Sequence, residues 1–115
     1  MKLFTHAIGM AIYPTIYIRD DYVNHPDRWW LLKHEKTHWL EQKNMGVFKW
    51  IWKYKTEPRF NYWAEIRAYA VAISNGLEMK RAIKWVDKYH NKIGKTENQI
   101  LADLTGEYRK LVIAR

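Results

Sequence analysis

The first apolar segment of the chain is rich in β-branched and aromatic residues, which is typical of β structure. Residues 11–18 form the clearest predicted strand. Pro14 inside this segment indicates an edge strand, because proline has no amide hydrogen to donate to a neighbouring strand. Residues 2–8 could supply a first strand, with a turn around Gly9. We therefore expect a short β element at the start of the chain.

Beyond residue 27 the apolar positions follow the 3.6-residue period of a helix, and helix-ending residues separate the segments. Gly46 and Gly94 each end a predicted helix, and Asn61 is a natural cap for the start of another. Five helices are predicted, over residues 27–45, 47–55, 61–75, 78–93 and 96–112. The expected fold class is α+β and mainly helical, with the β element packed beside the first helix. At this length, residues 1–115 are predicted to form a single domain.

Composition narrows the chemistry. The chain is 48% hydrophobic with seven tryptophans, which is unlike a disordered chain. It contains no cysteine, so disulfides and cysteine-based metal sites are excluded. The net charge of +8 fits either an ordinary basic surface or an anionic partner. Four lysines recur at four-residue spacing in the fourth helix, which favours a solvated face over a docking surface. These are Lys80, Lys84, Lys88 and Lys92.

Targeting segments are not evident in the sequence. The N-terminal residues do not have the pattern of a signal peptide, and no apolar run reaches the length of a bilayer span. The default expectation is a cytoplasmic protein, although release by lysis or delivery by a phage particle would leave no mark in the sequence.

One motif carries specific chemistry. His34-Glu35-Lys36-Thr37-His38 has the form H-E-x-x-H and lies in the predicted helix over 27–45. Residues four apart share one helix face, so two imidazoles can reach one zinc ion. Glu35, rotated by about 100° around the axis, can take a proton from a zinc-bound water without binding the metal. The predicted strand before this helix could pair with an extended substrate.

A catalytic zinc needs a third protein ligand and leaves the fourth position to water. The leading candidate is Glu65, because a carboxylate among small and apolar neighbours needs a partner such as a metal. The competing interpretation is a surface Glu65 paired with Arg67 or Lys55. Glu57 is the second choice, and Glu41 lies too far along the zinc helix. Three further histidines are more readily explained as structural or surface residues, namely His6, His25 and His90.

The motif and the segment Glu65-Ile66-Arg67-Ala68-Tyr69 together resemble the gluzincin metallopeptidases, which bind zinc through two histidines and a glutamate. Small bacterial and phage proteins of this type are more similar still, on the basis of Gln42, Gly46 and the aromatic stretch over 48–54. The resemblance covers about residues 9–72. It implies a minimal gluzincin core with zinc on His34, His38 and Glu65, and with Glu35 as general base.

The sequence also departs from that family in two places. Tyr69 stands where many gluzincins have an aspartate that orients a zinc-bound histidine. Gln42 is one residue further from the motif than the resemblance leads one to expect. The residue that stabilises the oxyanion stays open among five candidates, with Tyr69 placed first. The other four are Tyr54, Tyr62, His25 and Arg67.

Three hypotheses follow from the sequence. The first is a zinc-dependent endopeptidase acting on a peptide or protein substrate. The second is a zinc-stabilised but non-catalytic module that binds an anionic or protein partner. The third is a helical nucleic-acid-binding protein in which the motif is accidental, and nucleic acid is the less favoured partner. The oligomeric state stays open.

Overall fold

The computed structural model describes residues 8–113. Two short strands, β1 (Gly9–Ile12) and β2 (Thr15–Ile18), form an antiparallel hairpin that pairs Gly9 with Ile18 and Ile12 with Thr15. The prediction of one strand over 11–18 is therefore wrong, because the chain reverses at Tyr13-Pro14 and the segment pairs with itself. Pro14 occupies the turn, where its missing amide hydrogen is not needed. The strand predicted over 2–8 lies almost entirely outside the described residues.

The predicted fold class is confirmed: a mainly helical α+β fold with a short N-terminal hairpin and five helices among the described residues. A short 3₁₀ turn, Asp20–Tyr22, follows the hairpin. The helices are α1 (Arg28–Met45), α2 (Val47–Thr56), α3 (Pro58–Ser74), α4 (Met79–Tyr89) and α5 (Glu97–Ile113). Within residues 8–113, none of these helices combines the length and the apolar character that a bilayer crossing requires.

Two helix boundaries differ from the predicted ones. The third helix begins at Pro58 rather than near Asn61, since proline suits the first helical position and only Glu57 separates α2 from α3. The fourth helix ends at Tyr89 rather than near residue 93. Asn91 explains the early end, because its amide accepts a hydrogen bond from the backbone of Lys95 and donates one back to it.

Two other boundary predictions are confirmed. Gly46 ends α1 with a φ of 103°, a conformation that side-chain-bearing residues rarely adopt. Thr96 and Gln99 form the expected capping box, in which each side chain accepts a hydrogen bond from the other residue's backbone amide. These local devices fix where α2 and α5 start.

The core lies where α1, α3 and α5 pack together, with α4 closing one side. Tyr62 and Ile66 of α3 are fully buried there, as are Ile100 and Leu104 of α5. Such packing holds α3 against α1 along much of their length. It thereby fixes which residues of the two helices face one another.

Gln42 fastens the hairpin to α1. Its buried side chain donates to the carbonyl of Ala11 at 2.8 Å and accepts from the amide of Tyr13 at 2.6 Å, as a neighbouring strand would. Trp39, one turn earlier, donates to the carbonyl of Pro14 at 3.0 Å. β1 therefore runs alongside α1 at a fixed distance and register.

Candidate metal centre

His34 and His38 lie one turn apart on the face of α1 that points into the molecule. They are 5% and 4% exposed, and their ring centroids are 5.0 Å apart in an edge-on arrangement. The helical spacing of the motif therefore brings both imidazoles to one buried space, as the sequence predicts. His6, another candidate from the sequence, lies outside the described residues.

Glu65 reaches the same space from α3. One carboxylate oxygen lies 3.1 Å from Nε2 of His34, and the other lies 3.1 Å from Nε2 of His38. Its neighbours Ala64 and Ala68 are completely buried, and such small side chains let α3 approach α1 closely. Glu65 itself is only 3% exposed. The structure thus brings together the three residues that the sequence singles out as ligands.

The competing carboxylates lie elsewhere. Glu57 is half exposed and faces Lys53 at 3.7 Å. Arg67, proposed above as a surface partner of Glu65, instead bonds Glu41 at 2.6 Å. The interpretation of Glu65 as a surface residue paired with Arg67 is therefore wrong, because Glu65 is buried and Arg67 bonds a different carboxylate.

The buried residues fit a metal ion. His34, Glu35 and His38 offer ligand atoms that all lie within 4.8 Å of one another, so this group could hold an ion. Nε2 of His38 is buried and, within residues 8–113, makes no hydrogen bond, although a Glu65 oxygen is 3.1 Å away. Two ligands of a tetrahedral zinc are themselves roughly 3.3 Å apart. The spacing and the unsatisfied nitrogen are therefore compatible with a metal ion held at this point.

Glu35 stands slightly back from this point. Its nearest oxygen is 4.0 Å from Nε2 of His34, whereas Glu65 approaches the same nitrogen to 3.1 Å. The backbone of Gly9 packs against Glu35, and a Cβ at that position would lie 3.2 Å from the Glu35 side chain. Burial raises the pKa of Glu35 above its usual value. A carboxyl group in this setting is suited to exchange a proton with a bound molecule.

The buried charges of the site compensate one another. Burial alone would raise the pKa of Glu65, but the facing His90 and His38 hold it well below the usual range. Burial would lower the pKa of His38, but the charge of Glu65 outweighs this effect and raises that pKa to about 10. Positive charge on the facing histidines therefore balances the buried carboxylate of Glu65, and a divalent cation at this point could supply that charge instead.

Tyr54 and His90 complete the surroundings of Glu65. The hydroxyl of Tyr54, on α2, donates to Glu65 at 2.5 Å. His90, at the end of α4, directs Nε2 toward Glu65 at 3.9 Å, and its Nδ1 lies 3.0 Å from the side-chain oxygen of Asn61. The sequence left Tyr54 unranked, and the expectation of an ordinary His90 overlooked this contact. Neither position follows from spacing along one helix, because each depends on how another helix packs against α3.

The remaining oxyanion candidates are placed differently. Tyr69 packs edge-on against the ring of His34, with centroids 4.3 Å apart. Tyr62 donates its hydroxyl to Asp103 at 2.6 Å, in the contact between α3 and α5. His25 is well exposed in the loop before α1. Of these three, only Tyr69 touches a residue of the candidate metal centre.

Glu41 lies behind His38. One of its oxygens is 3.9 Å from Nδ1 of His38, on the opposite side of the ring from Nε2. The same carboxylate accepts hydrogen bonds from Trp50 at 3.1 Å and Arg67 at 2.6 Å, which fix its position. Glu41 thus lies near Nδ1 of His38 at more than hydrogen-bond distance, and within residues 8–113 that nitrogen has no hydrogen-bond partner.

A cavity of about 200 Å³ opens beside the centre, between the end of α2, the start of α3 and the loop after α4. Tyr54 and His90, which contact Glu65, also line this cavity. Its other lining residues are Lys55, Pro58, Asn61, Tyr89 and Lys92. The cavity therefore gives the buried centre a neighbouring space with cationic side chains.

Comparisons of the chain with protein-family models, with curated proteins and with solved structures return no match.

Proposed function

We propose that the chain is a zinc-dependent endopeptidase of the minimal gluzincin type. His34, His38 and Glu65 are the zinc ligands, and Glu35 is the general base. The observation that carries the proposal is the pair of 3.1 Å approaches of the two Glu65 oxygens to the two histidine Nε2 atoms. Glu35 lies next to this point without entering it as closely, which suits the division into ligands and base.

A bound zinc ion supplies Lewis acidity, which makes water a stronger acid and polarises a peptide carbonyl. Glu35 accepts a proton from the water while the oxygen of that water attacks the carbonyl carbon. When the carbon–nitrogen bond breaks, Glu35 returns that proton to the leaving amine. The hydroxyl of Tyr54 holds Glu65 in place during both steps through its hydrogen bond to the carboxylate.

The outer edge of β1 supports the binding of an extended peptide. Ile8 and Arg19 bond across the hairpin, so the backbone groups of Gly9 and Ala11 point away from β2. Gln42 donates to the carbonyl of Ala11, which leaves the Gly9 groups and the Ala11 amide on this edge, and Gly9 packs against Glu35. Within residues 8–113 no third strand covers the edge. A substrate strand added there would lie next to the general base.

A non-catalytic module stabilised by zinc is the second candidate, and burial favours it. The four residues of the centre are only 3% to 6% exposed, as in sites that hold a metal for structural reasons. This alternative also predicts bound zinc, but it predicts that no peptide is hydrolysed at any zinc loading.

The substitution Glu35→Gln separates the two functions. Untagged parent protein is expected to contain one zinc per chain by elemental analysis and to cleave members of a mixed peptide library. Glu35→Gln should retain the zinc and lose at least about 100-fold in cleavage rate, because a general base contributes that much or more. Glu97→Gln, which alters an exposed carboxylate on α5, is the matched control and should behave as the parent. Equal cleavage by Glu35→Gln, or a parent protein without zinc, would falsify the proposed mechanism.

A further inference from the structure

We propose that the cavity beside the centre binds a carboxylate group of the peptide substrate, either an acidic side chain or a free C-terminus. The inference rests on the proposed peptidase function, for which it names a class of substrate. It concerns residues other than the proposed ligands and base. The cavity therefore acts as a specificity site next to the point of cleavage.

The size of the cavity fits one side chain. At about 200 Å³ it is smaller than the pockets of roughly 300–1,000 Å³ that enclose drug-sized ligands. A whole peptide would have to lie outside it, for example along the hairpin edge. The cavity can accept only the part of that peptide that turns inward.

The charge of the lining selects an anionic group. Among the lining residues within 8–113, Lys55 and Lys92 carry full charges and none is a carboxylate. The start of α3 at Pro58 adds the positive end of a helix dipole at the same place. Glu65 lies behind Tyr54 and His90, where the histidines of the centre compensate its charge. The open space is thus lined by two lysines that carry positive charge.

Lys92 reaches this position because α4 ends early. On a helix continuing to residue 93, Lys92 would extend the row of solvated lysines predicted from the sequence. The helix stops at Tyr89 instead, and the side chain of Asn91 fixes the following loop through Lys95. Lys92 is therefore placed beside the cavity and not on the exposed face of α4.

The walls of the cavity are preorganised. Asn61 donates to the backbone carbonyl of Tyr54 at 3.2 Å, and its side-chain oxygen lies 3.0 Å from Nδ1 of His90. One amide thus braces two walls that belong to different helices. Both walls also contact Glu65, so the cavity and the metal centre share Tyr54 and His90 as a common boundary.

The test is a nuclear magnetic resonance titration of the full-length protein with matched peptides. Acetyl-Ala-Glu-Ala-amide is compared with acetyl-Ala-Gln-Ala-amide, and acetyl-Ala-Ala with a free C-terminus is compared with its amide. At least one carboxylate peptide should bind about tenfold or more tightly than its neutral partner, since bonds to charged groups contribute at that level. The backbone signals of Lys55, Asn61 and Lys92 should shift. Comparison of the two pairs shows whether a side chain or a C-terminus is preferred.

Paired lysine substitutions assign the binding to the cavity. The double variant Lys55→Gln/Lys92→Gln should bind the carboxylate peptide about tenfold or more weakly than the parent does. Lys80→Gln/Lys84→Gln removes the same charge from the exposed face of α4 and should change the affinity by less than about twofold, as expected for screened surface charges. Equal binding of charged and neutral peptides, binding by neither, or equal losses in the two double variants would overturn the proposal.

The titration also separates this inference from the proposed function. It is run on zinc-loaded protein and on protein treated with a chelator. If the carboxylate binds directly to zinc, its binding should be lost when the metal is removed, and the two lysine double variants should bind it equally. That result would count against the cavity. If the protein neither holds zinc nor cleaves peptides, the peptidase proposal fails. Selective binding that depends on Lys55 and Lys92 would then still support the carboxylate site.

Discussion

At the scale of single residues, the centre depends on one carboxylate that belongs to a different helix from the motif. Glu65 is held by four neighbours, since both histidines of the motif, Tyr54 and His90 all face its two oxygens. A side chain surrounded in this way is already oriented before any ion binds. Such preorganisation should make the metal site sensitive to the removal of its charge.

We predict that Glu65→Gln lowers zinc affinity by at least about 100-fold, the upper range seen even for groups that act on a metal indirectly. The amide keeps the size of the side chain but provides no negative charge for the ion. Glu57→Gln makes the same chemical change at a half-exposed position and should leave zinc affinity unchanged. Competition with a chromophoric chelator measures both variants. Similar zinc affinity for Glu65→Gln and the parent would show that Glu65 is not a ligand.

At the scale of elements, the type of secondary structure is easier to predict from the sequence than the position at which the chain reverses. The periodicity of α1 places His34 and His38 on one face, because a single helix determines their relation. The hairpin was missed because residues 11–18 are uniformly strand-forming, and only Pro14 marked the reversal. His90 was missed for another reason. Its contact with Glu65 arises from the packing of α4 on α3, which no local pattern contains.

Gln42 connects two elements, and its removal should loosen the hairpin. Gln42→Ala eliminates two hydrogen bonds, leaves the Ala11 carbonyl and the Tyr13 amide without this partner, and opens a gap at a buried position. The expected loss is about 2–4 kcal/mol in the free energy of unfolding. Asn44→Ala, which removes an exposed amide from the same helix, should cost less than about 0.5 kcal/mol. Urea denaturation gives both values.

The same substitution has a consequence for the proposed peptidase. Because β1 forms the edge on which the substrate is proposed to bind, Gln42→Ala should raise KM more than it lowers kcat. Zinc content should stay at the parent level, since the hydrogen bonds of Gln42 go to the backbone of Ala11 and Tyr13 and not to the proposed ligands. A variant that loses zinc, or one as stable as the parent, would contradict the assigned role of Gln42 as the link between β1 and α1.

At the scale of the whole molecule, the centre is kept in place by contacts far from it. α1 supplies the two histidines, and its start is tied to α4 by Asp27 and Arg81, whose atoms approach to 2.9 Å. α4 in turn ends at His90, beside the centre. The contact between Asp27 and Arg81 therefore helps to hold two walls of the site in a fixed relation, although both residues lie outside it.

This ion pair gives the stability of the fold a defined pH dependence. The hydrogen bond from Arg81 lowers the pKa of Asp27 below its usual value, so the folded state favours the ionised carboxylate. The resulting stabilisation is fully present above the unfolded pKa of about 3.9. It is lost as the pH falls through the lower pKa of the folded state. At neutral pH it should amount to no more than about 1 kcal/mol, because Arg81 is partly exposed to solvent.

Asp27→Asn should therefore be less stable than the parent at pH 7. The difference should shrink as the pH falls below about 4, where Asp27 is protonated first in the unfolded chain and then, at the lower pKa, in the folded one. Urea denaturation at a series of pH values measures this difference. A double-mutant cycle with Arg81→Gln isolates the contribution of the pair, since once Arg81 is replaced, Asp27→Asn should have little further effect. A difference that stays constant from pH 7 to pH 3, or an effect of Asp27→Asn that persists without Arg81, would show that another contact holds α1 and α4 together.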